Sequence, residues 1–117
     1  MAATESTQEW VTKLVDAVPR LRPMLQEHER FYEELLPHLF FGEVAPWAEN
    51  ELAAAGQSSD LLSLLSIVDE GYAKGDAEFR NVLEASFVED LGEESPVLAL
   101  LGPNLSHFAS IMFPNRR

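Results

Sequence analysis

The chain has 117 residues, 46% of them apolar, no cysteine, and 20 acidic side chains against 8 basic ones, for a formal net charge of −12. That length and apolar content are enough for one domain with its own core, and the lack of cysteine excludes a disulfide framework and thiolate metal sites. The charge argues against nucleic acid and against anionic membrane surfaces, both of which attract Lys and Arg. It favours a basic protein partner, with simple solubility as the other source of such acidity.

No apolar run approaches the length of a bilayer span. The opening residues, MAATESTQEW, lack the basic region and apolar stretch of a secretory signal. The expectation is a cytoplasmic protein with a single helical domain over residues 1–117, a frayed lead-in at 1–5 and a tail at 114–117.

The first helix is expected near Ser6, where Ser6 and Glu9 have capping-box spacing. Trp10, Val11, Leu14, Val15 and Val18 then recur at helical intervals, and Pro19 stops the run. A second helix is predicted over 21–36, with Pro23 in its first turn and Pro37 beyond its end. Its core stripe would be Leu21, Met24, Leu25, His28, Phe31, Tyr32 and Leu35. The segment PHLFFGEVAPWAENELAAAG reads as a short helical turn followed by a helix from about Ala45 to Ala55, capped by Gly56. One continuous helix through Pro46 is the alternative.

Ser59 or Asp60 is expected to cap the next helix, whose Leu61, Leu62, Leu64, Leu65, Ile67 and Val68 leave it apolar on most sides. It should be the central helix, ending around Tyr72–Gly75. Asp76 then caps a helix striped by Phe79, Val82, Leu83, Phe87 and Leu91, and the short link makes the two an antiparallel hairpin. A short helix at Val97–Leu101 and a last one at Asn104–Met112 complete the chain. No segment alternates long enough to argue for a strand. The fold class is therefore all-α, a compact irregular bundle of six or seven helices, with a short α-solenoid-like stack of helix pairs as the alternative.

Chemistry-bearing motifs are sparse. There is no glycine-rich phosphate loop and no nucleophile elbow. His28 falls on an apolar stripe and reads as a core histidine. Ser106 and His107 are neighbours on a helix and point in different directions. A metal-dependent enzyme using Glu34, His38 or His107 is the weakest alternative, since neither copy of a Glu-x-x-His pair is present. The expectation is a protein without catalytic residues, cofactor or metal.

Charge is distributed unevenly. Between Asp60 and Glu94 ten acidic residues face only Lys74 and Arg80. Within that hairpin Asn81, Ala85 and Val88 fall opposite the Phe79–Leu83–Phe87 stripe, ringed by Glu78, Glu84 and Glu89, while Ser86 interrupts the stripe. An apolar centre with a charged rim is how interfaces are commonly built, so Glu78, Asn81, Glu84, Ala85, Val88 and Glu89 form the expected partner-binding face. Covering by another helix of the same chain is the equal alternative. A homodimer contact through the same side is a third reading.

The stretch Asp76–Leu91, DAEFRNVLEASFVEDL, resembles a motif of an uncharacterised family of small acidic helical bacterial domains. There an Asn is followed by aliphatic and small residues, then Ser-Phe, an aliphatic, Glu, Asp or Asn, and Leu; these positions correspond to Asn81 through Leu91. PHLFFGEVAPW upstream and LLGPNL downstream are similar in placement, and Leu83-Glu84-Ala85 departs from the family's aliphatic-Ala-Val run. Members resemble, in size and acidity, the immunity proteins that neutralise secreted bacterial toxins. The resemblance implies a protein-binding role and carries no catalytic residues.

Overall fold

The structure, a computed structural model, describes residues 2–115. Its elements in chain order are α1 (Glu5–Ala17), a 3-10 turn (Pro19–Leu21), α2 (Arg22–Tyr32), α3 (Pro37–Ala55) and α4 (Ser59–Lys74). Next come α5 (Ala77–Leu83), which runs through a π-helical turn (Glu84–Val88) into α6 (Glu89–Leu91), then a 3-10 turn (Pro96–Leu100) and α7 (Pro103–Met112). Counting α5 through α6 as one helix gives six, and no strand occurs among the described residues. The fold is a small all-helical bundle.

The helical stripes converge on one core. Trp10, Val11, Leu14, Val15 and Val18 are all buried, as are Phe79, Val82, Leu83, Phe87 and Leu91. The centre is aromatic: Phe41 meets Phe40, Phe79 and Phe87 edge-on, with ring centroids 5.5, 5.8 and 6.5 Å apart. Helix α4 is central, touching α1, α3, α5 and α7. Gly71 makes room for its neighbours, because a Cβ there would stand 2.5 Å from the Phe79 ring and 3.1 Å from Trp10. Asp76 caps α5 as expected, its Oδ1 accepting from the Phe79 N–H at 3.0 Å.

Five local readings of the sequence are corrected. Helix α1 starts before Ser6: Thr4 is the cap, accepting from the Thr7 N–H at 3.1 Å. Ser6 instead accepts from the Asp76 N–H at 3.0 Å. The lead-in is packed onto the body, with Ala3 buried and the Thr4 N–H donating to Glu78 at 2.9 Å. Met1 and residues 116–117 lie outside the described residues. Helix α4 is capped one residue early, by Ser58, which accepts from the Leu61 N–H at 3.2 Å.

Helix α3 is continuous through Pro46. An interior proline costs about 3 kcal/mol. Full burial of Phe40, Phe41, Val44, Ala45 and Ala48 on either side offsets that, since each buried Phe alone contributes roughly 1.5–3 kcal/mol. Helix α2, by contrast, ends a turn early. Glu33 turns left-handed at φ 63°, and Pro37 disfavours helical backbone at Leu36. The freed Leu36 N–H donates to His28 Nε2 at 2.9 Å. In the last turn of α2, Phe31 is 77% exposed and Tyr32 39% exposed, rather than both lying in the core stripe.

Candidate interaction surface

Six of the ten acidic residues in the hairpin predicted as a binding face are engaged by other groups of the chain. Asp69 is buried and accepts from the Leu105 N–H at 2.8 Å and from Asn104 Nδ2 at 2.9 Å, so it closes the N-terminus of α7 from α4. A Cβ on Gly102 would stand 2.5 Å from the Asp69 Cγ, which makes this a close fit. Asp60 pairs with Arg20, Glu70 with Lys74, and Asp76 caps α5. Glu78 holds the Thr4 N–H, and Glu84 accepts from the Tyr72 hydroxyl at 2.5 Å. Burial first, and then the Glu84 carboxylate, raise the Tyr72 phenol above its ordinary value.

The second side of α5 does not form an apolar patch either. Val88 is fully buried, so the homodimer and partner readings that used it as a contact lose their centre. The cause is the π turn at Glu84–Val88, which inserts one extra residue per turn and rotates everything after it. Val88 joins Val82, Leu83 and Phe87 in the core as a result, the π turn packing against α3. Asn81 and Glu89 remain exposed, and Ala85 is half-buried. Ser86, the interruption in the stripe, meets His38 Nδ1 at 2.7 Å and ties the π turn to α3.

A different surface emerges where α2 ends and α3 begins. Phe31 and Tyr32 pack edge-to-face at 4.8 Å, and Tyr32 leans on the buried His28 ring at 4.8 Å. Leu39, on the first turn of α3, is 49% exposed. His28 Nδ1, on the opposite ring edge from the Leu36 contact, has no hydrogen-bond partner and lies 3.8 Å from Glu43. Within residues 27–43 five carboxylates (Glu27, Glu29, Glu33, Glu34 and Glu43) accompany a single arginine. That arginine, Arg30, is paired with Glu27. On the far flank Asp90 lies against Gly42 of α3, with exposed Glu89 beside it. The result is a ridge made by an exposed aromatic pair in an acidic stretch of chain, with Glu29 and Glu34 turned toward a cavity against α1.

The sequence placed Phe31 and Tyr32 in the core because helical spacing continued past them. The signal that they occupy the last turn of α2 was Pro37, which restrains Leu36 and shortens the usable helix.

The chain belongs to the family described as a domain of unknown function, DUF7674, whose model matches residues 11–110. The matched stretch runs from the middle of α1 to the last turns of α7 and includes both the ridge and the π turn. No curated protein and no solved structure matches the chain.

For the metal-dependent alternative, the geometry offers little to work with. Among the described residues no three His, Asp or Glu side chains are grouped to hold a metal ion. Glu34 lines a cavity of about 290 Å³ against α1, His38 bonds Ser86, and His107 is exposed on α7. A shallow groove of about 500 Å³ runs between α4 and α7, over Leu62, Leu65, Ser66 and Leu100. Its buried carboxylate, Asp69, is fully engaged as a helix cap. No helix of the described residues is long and apolar enough to cross a membrane.

Proposed function

We propose that the protein is a non-catalytic binding module that engages a basic protein through the ridge at the α2–α3 corner. The observation carrying this reading is Phe31, 77% exposed and packed against Tyr32, in a segment with five carboxylates to one arginine. Exposed apolar patches rimmed by polar groups mark interaction sites, and a rim of one charge sign steers an oppositely charged partner. The resemblance to bacterial immunity proteins supports a basic toxin domain as the partner class and the cytoplasm as the place of action.

The test is affinity capture from the source cells at low and moderate salt, comparing the wild type with Glu33→Lys/Glu34→Lys/Glu43→Lys and with Phe31→Ala. A basic protein retained by the wild type at low salt and lost with either variant supports the reading. Equal retention by all three proteins removes this surface from consideration.

A second reading, self-association, is favoured by one observation: Leu61–Val68 of α4 carries no charge, and Leu62 is 45% exposed above the groove next to α7. Light scattering after size exclusion decides it, a monomer at micromolar concentration counting against a dimer.

A further inference from the structure

We infer that Phe31 and Tyr32 form a receptor for an arginine side chain supplied by the partner. The inference rests on the reading of the α2–α3 corner as the binding face and specifies what that face recognises.

The rest of the molecule provides the pattern. Lys13 Nζ stands 4.2 Å from the Trp10 ring centroid, Arg20 Cζ 5.3 Å from Trp47, and Arg80 Cζ 5.4 Å from Tyr72. Around Arg20 two carboxylates complete the arrangement. Arg20 reaches Glu51 at 2.9 Å and Asp60 at 3.1 Å while covering Trp47. Tyr72, under Arg80, donates to Glu84. The ring supplies a negative face, the carboxylate a full charge, and the planar guanidinium serves both at once.

Phe31 and Tyr32 offer rings of the same kind, and among the described residues no cation lies over either of them. Their immediate neighbour Arg30 is turned to Glu27 instead. Both rings are held from behind, Tyr32 by His28 and Phe31 by Tyr32, so little order has to be imposed when a ligand arrives. Glu43 lies beyond the His28 ring, and Glu33 and Glu34 follow directly in the chain. Arginine suits this surface better than lysine. A guanidinium is weakly hydrated, stacks flat on a ring and keeps its edge free for a carboxylate, whereas an ammonium ion keeps its water.

The experiment uses labelled octa-arginine and octa-lysine, equal in charge, titrated with the full chain at moderate salt and followed by fluorescence anisotropy. The wild type binds octa-arginine about two- to five-fold more tightly than octa-lysine, the range of an exposed cation–ring contact. Phe31→Leu/Tyr32→Leu keeps the apolar bulk, removes the rings, and abolishes that preference with octa-lysine affinity unchanged. Glu33→Gln/Glu34→Gln/Glu43→Gln weakens both peptides alike and retains the preference. Phe31→Leu alone, at a position facing water, serves if the double variant melts early.

Equal affinity of the two peptides for the wild type, or an arginine preference that survives loss of the rings, overturns the inference while leaving the acidic binding face standing. Binding of both peptides that ignores the triple neutralisation overturns the face as well. A doubled mass at the assay concentration, lost in the Leu variants, assigns the rings to a second copy of the chain and also overturns it.

Discussion

Two acidic regions of this molecule look alike in composition and differ in use. In the hairpin from α4 through α6, the carboxylates of Asp69, Glu78 and Glu84 each accept a bond from another segment of the chain, and Asp76 caps its own helix. At the α2–α3 corner, Glu33 and Glu34 belong to no ion pair among the described residues, Glu43 stands 3.8 Å from an imidazole, and two aromatic rings face water beside them. A dense run of acidic residues is therefore not evidence of a surface until its hydrogen-bond partners are known. The hairpin acids hold helices together, and the corner acids share their stretch of chain with an exposed aromatic pair.

The largest way to break this comparison is at Asp69. Asp69→Ala removes a buried acceptor shared by the α7 N-terminus and Asn104. It should cost about 2–3 kcal/mol, because the donors it leaves are buried or partly buried, and chemical denaturation would read the loss. A cost under about 0.5 kcal/mol would place Asp69 among idle surface acids. Gly71→Ala comes next. Alanine normally improves a helix by about 1 kcal/mol over glycine. Here the added Cβ would collide with Phe79 and Trp10, so the sign should invert, to a loss of about 1–3 kcal/mol. A stabilised variant would show that the aromatic core is looser than the structure has it.

Glu84→Gln and Glu78→Gln each weaken one hydrogen bond between segments. About 0.5–1.5 kcal/mol of stability should go in each case, with peptide binding at the corner unchanged. Charge reversal at Glu33, Glu34 and Glu43 should do the opposite, leaving stability within about 0.5 kcal/mol of the wild type while weakening a basic ligand.

The smallest effect concerns acid. Hydrogen bonds from Arg20, and then from Ser58, hold the Glu51 carboxyl below its ordinary value of 4.5. A group whose pKa is lowered by folding contributes stability that is present above its unfolded value and lost as the pH falls through its folded one. Glu51→Gln should therefore flatten the fall in melting temperature below about pH 4.5 relative to the wild type. An unchanged acid profile would mean that the Arg20–Glu51 pair contributes nothing measurable, which is common for pairs with one exposed partner.

Much of the fold was legible because helices that bury one stripe declare it. The Trp10–Val18 and Phe79–Leu91 stripes, the apolar α4 and the Asp76 cap could all be read from spacing. What escaped was phase. A π turn adds a residue without leaving a composition signal, and only the misplaced Ser86 and the off-stripe Val88 hinted at it. The alternative of internal covering, weighed equally from sequence, is the one Val88 takes. The candidate surface was harder still. Phe31 and Tyr32 occupy the last turn of α2, and the point where α2 stops could not be read from spacing. That is set by a left-handed Glu33 and a bond from the Leu36 N–H to His28, neither of which a stripe can encode. Pro46 misled in the other direction, since local chemistry argued for a break that the packing of Phe40, Phe41 and Val44 overrides.

The most direct test of the distinction between the two regions is an amide NMR titration of the isotope-labelled protein with octa-arginine. The largest shifts should fall within residues 27–43, centred on Phe31, Tyr32 and Leu39, with residues 78–88 nearly silent. Shifts concentrated at Glu78, Asn81, Glu84 and Ala85, with the corner quiet, would contradict it and return the binding face to the hairpin.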